Sequence, residues 1–160
     1  MPQSVVTQFM FEGKAEEAMN LYVSLFPDSK VLGVMRSPAD NPSVAQGQVL
    51  TASFRLNGQE FTALNGGPQF KFNESVSFVI HCDTQEEVDK YWTALTRDGG
   101  EESMCGWLKD KFGLSWQVTP NYLIEKIQDK DPKKAQAVMQ AMMQMRKIDI
   151  ATIKRAYESA

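Results

Sequence analysis

The chain of 160 residues is 42% hydrophobic and 23% charged, which suits one compact domain or two small modules packed together and argues against disorder. Its net charge of −3 argues against nucleic acid and against an anionic membrane surface as partners, because both need a basic footprint. The two cysteines lack CxxC spacing, which excludes a disulfide framework and a zinc site. The sequence has no apolar run of roughly 20 residues and no signal-peptide pattern, so we expect a cytoplasmic protein.

A strand, a helix and a second strand are predicted at the start of the chain. Residues 5–11 are rich in β-branched and aromatic side chains, and Gly13 ends this strand. Pro27 ends the helix, and residues 29–35 form the next strand. The helix is indicated by an apolar stripe at helical spacing, which consists of Ala15, Ala18, Met19, Tyr22 and Phe26.

A loop and a hairpin come next. Residues 37–47 are rich in Pro, Asn, Ser and Gly and are predicted to form the loop. Asn57-Gly58 is a strong signal for a two-residue turn, which would join strands at 49–56 and 59–64.

The same order of elements then recurs. Residues 76–82 form a strand, residues 84–87 have capping-box spacing, and the glycine pair at 99–100 ends the helix. Two more strands are predicted around 105–108 and 114–118. The apolar stripe of this second helix consists of Val88, Tyr91, Trp92 and Leu95.

The two halves align as a repeat. Phe9 matches Phe78 at an offset of 69 residues, whereas Tyr22 matches Trp92 at an offset of 70. One residue inserted between strand and helix accounts for the difference. Such self-similarity indicates a duplicated structural module.

Beyond residue 120 the pattern is helical. Residues 121–128 form a short helix, the Asp-Pro pair at 131–132 begins a longer one, and Asp149 caps a last one. Residues 120–160 hold eight Lys/Arg and five Asp/Glu, a balance of +3 that leaves −6 for the rest. The longer helix carries an apolar stripe that consists of Val138, Met139, Met142 and Met143. Because methionine packs adaptably, this stripe suits core packing or dimer contact.

Two stretches of the chain resemble a known family. They are FMFEGKAEEAMNLYVSLFPDSKV and ALNGGPQFKFNESVSFVIHCDTQEEVDKYWTALTRDGGEESMCGWLKDKFGLSWQVTP, in which CGWLKDKFGLSWQVTP is especially specific. Both are similar to PhnB-like proteins, a branch of the glyoxalase/bleomycin-resistance/dioxygenase (vicinal oxygen chelate) superfamily that is often labelled 3-demethylubiquinone-9 3-methyltransferase-like. The tail KAQAVMQAMMQMRKIDIATIK is similar to the same group, so the resemblance spans nearly the whole chain.

The resemblance implies an α+β fold of two βαβββ modules, each a curved mixed sheet with its helix outside. We therefore expect a domain at residues 1–119, made of modules at about 1–68 and 69–119, and a C-terminal helical extension at 120–160. Members of this superfamily commonly form dimers, so a homodimer is expected.

In metal-using members of the superfamily, four side chains on the concave sheet face bind a divalent ion, two from each module. Strand alternation, the repeat and a count of four residues from each turn glycine place their equivalents at Gln8, Thr62, Ser77 and Gln117. Hard divalent ions bind preferentially to carboxylates, and borderline ions bind preferentially to His or Cys. These four neutral side chains therefore predict that no metal is bound. They suit neutral hydrogen bonds to a small molecule.

Strand alternation adds further members to this concave face, namely Ser53, Val79 and Ser115. Trp107 would either line the cavity mouth by stacking on a planar ligand or pack in the core. Glu60 would be either a general base in the pocket or a solvated hairpin carboxylate. Lys109 and Asp110 are predicted to be exposed turn residues. No catalytic residue is identified.

Four functions remain open on this basis. The first is a metal-free protein, without a cofactor, that binds an unidentified small apolar or planar molecule in the concave cavity. The alternatives are a divalent-metal-dependent lyase or dioxygenase, a methyltransferase acting on a quinone precursor, and an interaction module that uses the Met-rich tail. A nucleotide-like methyl donor is usually held by a Gly-rich turn between strand and helix, whereas the glycine pairs here fit a turn and a helix end.

Overall fold

The computed structural model describes residues 4–160; residues 1–3, at the start of the expected first module, lie outside the described part. The chain divides into two compact units, one that ends at Lys71 and one that runs from Phe72 to Ala160. Within residues 4–160, the helices are all too short or too polar to cross a membrane.

The first unit is a mixed sheet of four strands with one helix. Its elements are β1 (Thr7–Phe11), α1 (Ala15–Leu25), β2 (Lys30–Arg36), β3 (Val49–Leu56) and β4 (Gln59–Asn65). The order across the sheet is β1-β4-β3-β2, with β1 parallel to β4 and the other neighbours antiparallel. The predicted order of elements is confirmed. Strand β1 starts two residues later than predicted, because its pairing with β4 begins at Thr7 and Phe61.

An aromatic core joins α1 to one face of this sheet. Phe54 and Phe61 pair across the hairpin, with ring centroids 5.7 Å apart, and Phe9 stacks on Phe61 at 5.5 Å. Tyr22 of α1 packs against Phe9 and Phe54 and is fully buried. Because side chains alternate along a strand, the neighbours of these phenylalanines face away from α1. We call the sheet side that faces away from the helix its open face.

The second unit repeats this architecture. Its elements are β5 (Ser77–Cys82), α2 (Gln85–Thr96), β6 (Glu101–Glu102), β7 (Trp107–Lys109) and β8 (Ser115–Pro120). The order β5-β8-β7-β6 matches that of the first sheet, and β5 is parallel to β8. The predicted duplication is therefore confirmed. Strand β6 has only two residues, too few for periodicity to reveal, and only the family resemblance implied it.

A tight turn replaces the first half of the strand predicted at 105–108. Cys105 and Gly106 have φ angles of 59° and 83°, in the left-handed region that a strand excludes. A Cβ on Gly106 would lie 2.9 Å from the Val118 carbonyl oxygen, so only glycine fits this close approach. Strand β7 consequently begins at Trp107.

Three helices complete the second unit. They are α3 (Asn121–Ile127), α4 (Pro132–Met143) and α5 (Ile150–Glu158), with Asp131 and Asp149 as N-caps that accept backbone hydrogen bonds. Their shared core is formed by Leu123, Val138, Ile148 and Ile153. Only part of the methionine stripe is covered, since Met139 and Met143 stay exposed.

Asp110 is buried, and the prediction that it is an exposed turn residue was wrong. Its Oδ1 accepts hydrogen bonds from the backbone N–H groups of Phe112 and Leu114, at 2.9 and 3.1 Å. Its Oδ2 accepts a bond from Trp116 Nε1 at 2.9 Å, and the residue is 2% exposed. The carboxylate thus ties the turn between β7 and β8 to the core, as aspartates at turns commonly do.

Candidate functional site

The open face of the first sheet carries three of the predicted pocket residues in one row. The register pairs Gln8 with Thr62 and Thr62 with Ser53, so these side chains lie side by side across β1, β4 and β3. Gln8 is exposed, whereas Thr62 and Ser53 are half-buried. All three are neutral hydrogen-bonding groups.

Glu60 lies on the same open face, next to Arg55 of β3. Its Oε1 accepts a 3.0 Å hydrogen bond from Arg55 Nη2, and its side chain is 21% exposed. Arg55 Nε is buried and has no hydrogen-bond partner among residues 4–160. The Glu60 carboxylate is therefore engaged in an ion pair within the sheet.

The open face of the second sheet carries the remaining predicted residues in two rows. One row runs from Ser77 through Ser115 and Lys109 to Glu101. The other runs from Val79 through Gln117 to Trp107. Strand alternation thus brings together the residues predicted for this module: Ser77, Val79, Trp107, Ser115 and Gln117.

The register between β5 and β8 differs from the one implied by counting four residues from the turn glycine, Gly113. Gln8 faces Thr62 in the first sheet, but Ser77 faces Ser115 in the second, and Gln117 faces Val79. Ser115 is therefore the register equivalent of Thr62. Gln117 still reaches Ser77 diagonally, because its Nε2 donates a 2.9 Å hydrogen bond to Ser77 Oγ.

A cavity of about 140 Å³ lies at this open face. Ser115 lines it, and its Oγ is buried without a hydrogen-bond partner among residues 4–160. Trp107 is half-buried and lines the same cavity, together with Ser103 from the preceding turn. The cavity therefore combines an aromatic side chain with an unsatisfied hydroxyl, a pairing typical of small-molecule sites.

Leu108 and several charged side chains line the rest of the cavity. Lys109 forms an ion pair with Glu74. The hydrogen bond between the two side chains lowers the pKa of Glu74 and raises the pKa of Lys109. Glu101 lies beside Lys109 in the sheet register. Glu74 and Glu101 were not predicted for the site, and the prediction that Lys109 is an exposed turn residue was wrong, because it lies in β7 and is half-buried. The signal for Lys109 was its position opposite Ser115 in the hairpin, whereas Glu74 lies outside any strand and gave no signal.

The predicted positions do not fit a divalent metal. Gln8 and Thr62 in the first unit, and Ser77, Ser115 and Gln117 in the second, offer only amides and hydroxyls. Residues 4–160 contain no group of three or more His, Cys, Asp or Glu side chains placed to hold an ion. That the two pairs share one cavity stays a prediction.

The glycine-rich strand–helix turn that commonly holds a nucleotide-like methyl donor is not present in the described residues 4–160. The strand–helix junctions at residues 12–14 and 83–84 are not glycine-rich, and β8 runs into α3 at 120–121 without a glycine. Gly66 instead permits close packing, since a Cβ there would overlap with the Met10 sulfur. The pair at 99–100 ends α2 in a short 3-10 turn. Neither glycine pair therefore forms a glycine-rich turn between a strand and a helix.

Cys82 does not have the surroundings of an activated nucleophile. Burial raises the pKa of the Cys82 thiol to about 12, and the nearby carboxylates of Glu87 and Asp83 act in the same direction. A thiol needs a lowered pKa or an adjacent base for nucleophilic catalysis. Cys105 is half-buried, and its backbone N–H is bonded to the C-terminal segment.

Comparison with known proteins places the two-module part in one family. The model of the family "3-demethylubiquinone-9 3-methyltransferase" matches residues 3–119. A solved structure from Bacillus cereus, a putative 3-demethylubiquinone-9 3-methyltransferase and PhnB protein, is 39% identical, with a TM-score of 0.67. It aligns over 74% of this chain and 99% of its own. No curated protein matches the chain.

More distant structures share only the fold. Protein PA1353 from Pseudomonas aeruginosa is 20% identical over 74% of this chain and 98% of its own, with a TM-score of 0.59. The fosfomycin resistance protein FosX from Listeria monocytogenes is 10% identical over 76% and 94%, with a TM-score of 0.50. The resemblance expected for the C-terminal tail lies beyond the family match, which ends at residue 119. From the family match and the Bacillus cereus relative, the chain belongs to the 3-demethylubiquinone-9 3-methyltransferase family, the PhnB-like branch of the glyoxalase/bleomycin-resistance/dioxygenase superfamily.

Proposed function

We propose that the protein binds a small apolar or planar molecule, without a metal, at the open face of its second sheet. The observation that carries this proposal is Ser115, which is 1% exposed and whose Oγ has no hydrogen-bond partner among residues 4–160. An unsatisfied buried hydroxyl costs about 1–3 kcal/mol. A ligand in the adjacent cavity that offers a donor or acceptor would remove that cost.

Two features beside Ser115 suit such a ligand. Trp107 offers a flat apolar surface for stacking, and Gln117 with Ser77 offers a neutral hydrogen-bonded pair on the same face. Polar anchors of this kind orient a ligand, while the aromatic surface supplies most of the buried area.

Thermal-shift screening with planar and apolar compounds, followed by calorimetry, tests the proposal. At least one compound should raise the melting temperature, because a ligand that binds only the folded state stabilises it. Ser115→Ala should fold normally, since it removes an unsatisfied hydroxyl, but should weaken binding by about threefold to tenfold. The control is Ser24→Ala, an exposed serine on α1. A panel without any shift, or unchanged affinity in Ser115→Ala, would refute the proposal.

Methyl transfer to a quinone precursor is the alternative that the family name suggests, and a divalent-metal lyase or dioxygenase is the other. The donor set at the predicted positions is neutral, which gives the metal-dependent reaction less support. The strand–helix junctions lack a glycine-rich turn, which gives the methyltransferase less support. Calorimetry with S-adenosylmethionine and elemental analysis of purified protein separate them. Heat of binding would favour the methyltransferase, and stoichiometric Ni, Zn, Fe or Mn would favour the metalloenzyme.

We further propose a cytoplasmic homodimer. Strand β2 lies at the edge of the first sheet. The dimer is supported by four exposed apolar side chains of this strand, Val31, Leu32, Val34 and Met35, which are 39–51% exposed. An uncovered apolar edge strand invites pairing with another chain. The second sheet ends instead in Glu101 and Glu102, whose charges discourage such pairing. Two unpaired cysteines support the cytoplasmic location.

A further inference from the structure

The segment between α4 and α5 is hydrogen-bonded to the turn that precedes Trp107. The Met145 carbonyl accepts a 2.7 Å bond from the Cys105 N–H, and the Arg146 carbonyl accepts a 2.8 Å bond from the Gly106 N–H. Ser103 N–H is in turn bonded to the Trp107 carbonyl at 2.9 Å. The C-terminal helices therefore hold residues 103–107, of which Ser103 and Trp107 line the cavity.

The shape of this turn depends on the same contact. Gly106 has a φ of 83°, and a Cβ there would lie 3.2 Å from Ile148 Cγ1 as well as 2.9 Å from the Val118 carbonyl oxygen. Ile148 is fully buried in the core shared by the C-terminal helices. The turn is thus packed between β8 and the C-terminal helices, with no room for it to shift toward either.

Two side chains of α2, Gln85 and Asp89, bind the segment. Gln85 Nε2 donates to the Ile148 carbonyl at 3.0 Å, and Gln85 Oε1 accepts from the Ile150 N–H at 2.8 Å. An ion pair between Lys147 and Asp89 at 2.7 Å lies beside it and lowers the pKa of Asp89. Because α2 also packs on β7 and β8, Gln85 links the C-terminal segment to the sheet that carries the cavity.

The Bacillus cereus relative is covered over 99% of its length by 74% of this chain, and the family match stops at residue 119. We infer that the C-terminal helices act as a positioning element of the binding site: through residues 145–150 they fix the 103–107 turn and thereby the orientation of Trp107 in the cavity. The expected effect of the C-terminal helices on ligand affinity rests on the proposed function. Their effect on the 103–107 turn does not depend on it.

The variant Gln85→Ala in the full-length chain tests the inference by hydrogen exchange and by ligand binding. Exchange of the Cys105 and Gly106 amides should accelerate by about tenfold or more, while amides of β8 and the rest of α2 keep their protection. Acrylamide should quench Trp107 more strongly, since Trp92 and Trp116 are buried. Affinity for a compound found by screening should fall by about threefold to tenfold, through lost preorganisation.

Gln140→Ala is the matched control, because Gln140 is an exposed glutamine on α4 in the same unit. Lys147→Ala is a milder second variant that removes only the ion pair and should show the same pattern at smaller amplitude. Unchanged exchange at Cys105 and Gly106, or equal acceleration throughout the second unit, would overturn the inference. If no compound binds the parent protein, the proposed function fails, while exchange and quenching still decide whether the C-terminal helices hold the turn.

Discussion

Gln117 donates a 2.9 Å hydrogen bond from its Nε2 to Ser77 Oγ, diagonally across the parallel strands β8 and β5. This bond joins two predicted pocket residues although the register places neither directly opposite the other. It leaves Ser115, which does lie opposite Ser77, without a partner among residues 4–160. The Gln117 amide is thus hydrogen-bonded within the sheet, and the Ser115 hydroxyl is the group that we propose contacts a ligand.

The pair of Gln117 and Ser77 should be energetically coupled. In a double-mutant cycle, Gln117→Leu and Ser77→Ala should show a coupling of about 0.5–1.5 kcal/mol in the free energy of unfolding. Urea denaturation of the four proteins measures it. Gln128→Leu combined with Ser77→Ala is the control and should be additive, because Gln128 is exposed after α3. Additivity in the Gln117 cycle would contradict the bond.

Asp110→Ala should destabilise the protein strongly. The carboxylate satisfies two backbone donors and the Trp116 indole N–H, so its loss leaves buried donors unpaired. We expect a loss of about 3 kcal/mol in the free energy of unfolding, measured by urea denaturation. Asp98→Asn is the control, since Asp98 is exposed and Asn tolerates its φ of 55°. A loss as small as that of the control would show that the turn holds without the carboxylate.

The stability of the protein should fall as pH rises above about 9, in part because of Cys82. Burial raises the pKa of this thiol from an ordinary value of 9.0 to about 12. The unfolded chain therefore releases the proton first, and the contribution of Cys82 is complete below pH 9 and is lost toward pH 12. Urea denaturation at a series of pH values should show a shallower decline in Cys82→Ala than in Cys105→Ala. Equal slopes in the two variants would count against the assignment to Cys82.

Replacing an apolar residue of the β2 edge by a charged one should separate the proposed dimer. Leu32→Lys, at a position 42% exposed, should give monomers in analytical ultracentrifugation, with a melting temperature lowered by the loss of the dimer contact. Thr93→Lys, on the exposed side of α2, is the control and should keep the parent mass. A parent protein that is already monomeric would remove this proposal, and a dimeric Leu32→Lys would move the interface elsewhere.

Much of the fold could be read from local patterns. The stripes of both helices were confirmed apart from Phe26, which follows the end of α1 and is half-buried. Ala15, Ala18, Tyr22, Val88 and Leu95 are among the most buried residues. Phe54 and Phe61 paired as expected across the Asn57-Gly58 turn. Such features depend on side-chain period and turn chemistry, both of which are encoded within short stretches.

Only part of the candidate site could be predicted from such local patterns. Strand alternation assigned Ser77, Ser115 and Gln117 to one face, but a count from the turn glycine paired Ser77 with the wrong residue. Asp110 was mistaken for an exposed residue because its three partners follow it along the chain and converge only when the turn forms.

The sequence by itself determined the duplicated module, its helices, its main strands and the neutral character of the predicted pocket positions, because period, turn signals and residue type are local properties. The tertiary structure alone decided which residues meet: the Ser77–Ser115 register, the cavity beside Trp107, and the contact of residues 145–150 with the turn at 103–107. These depend on strand register and on backbone contacts between segments about 40 residues apart, for which residue identity at either end carries no signal.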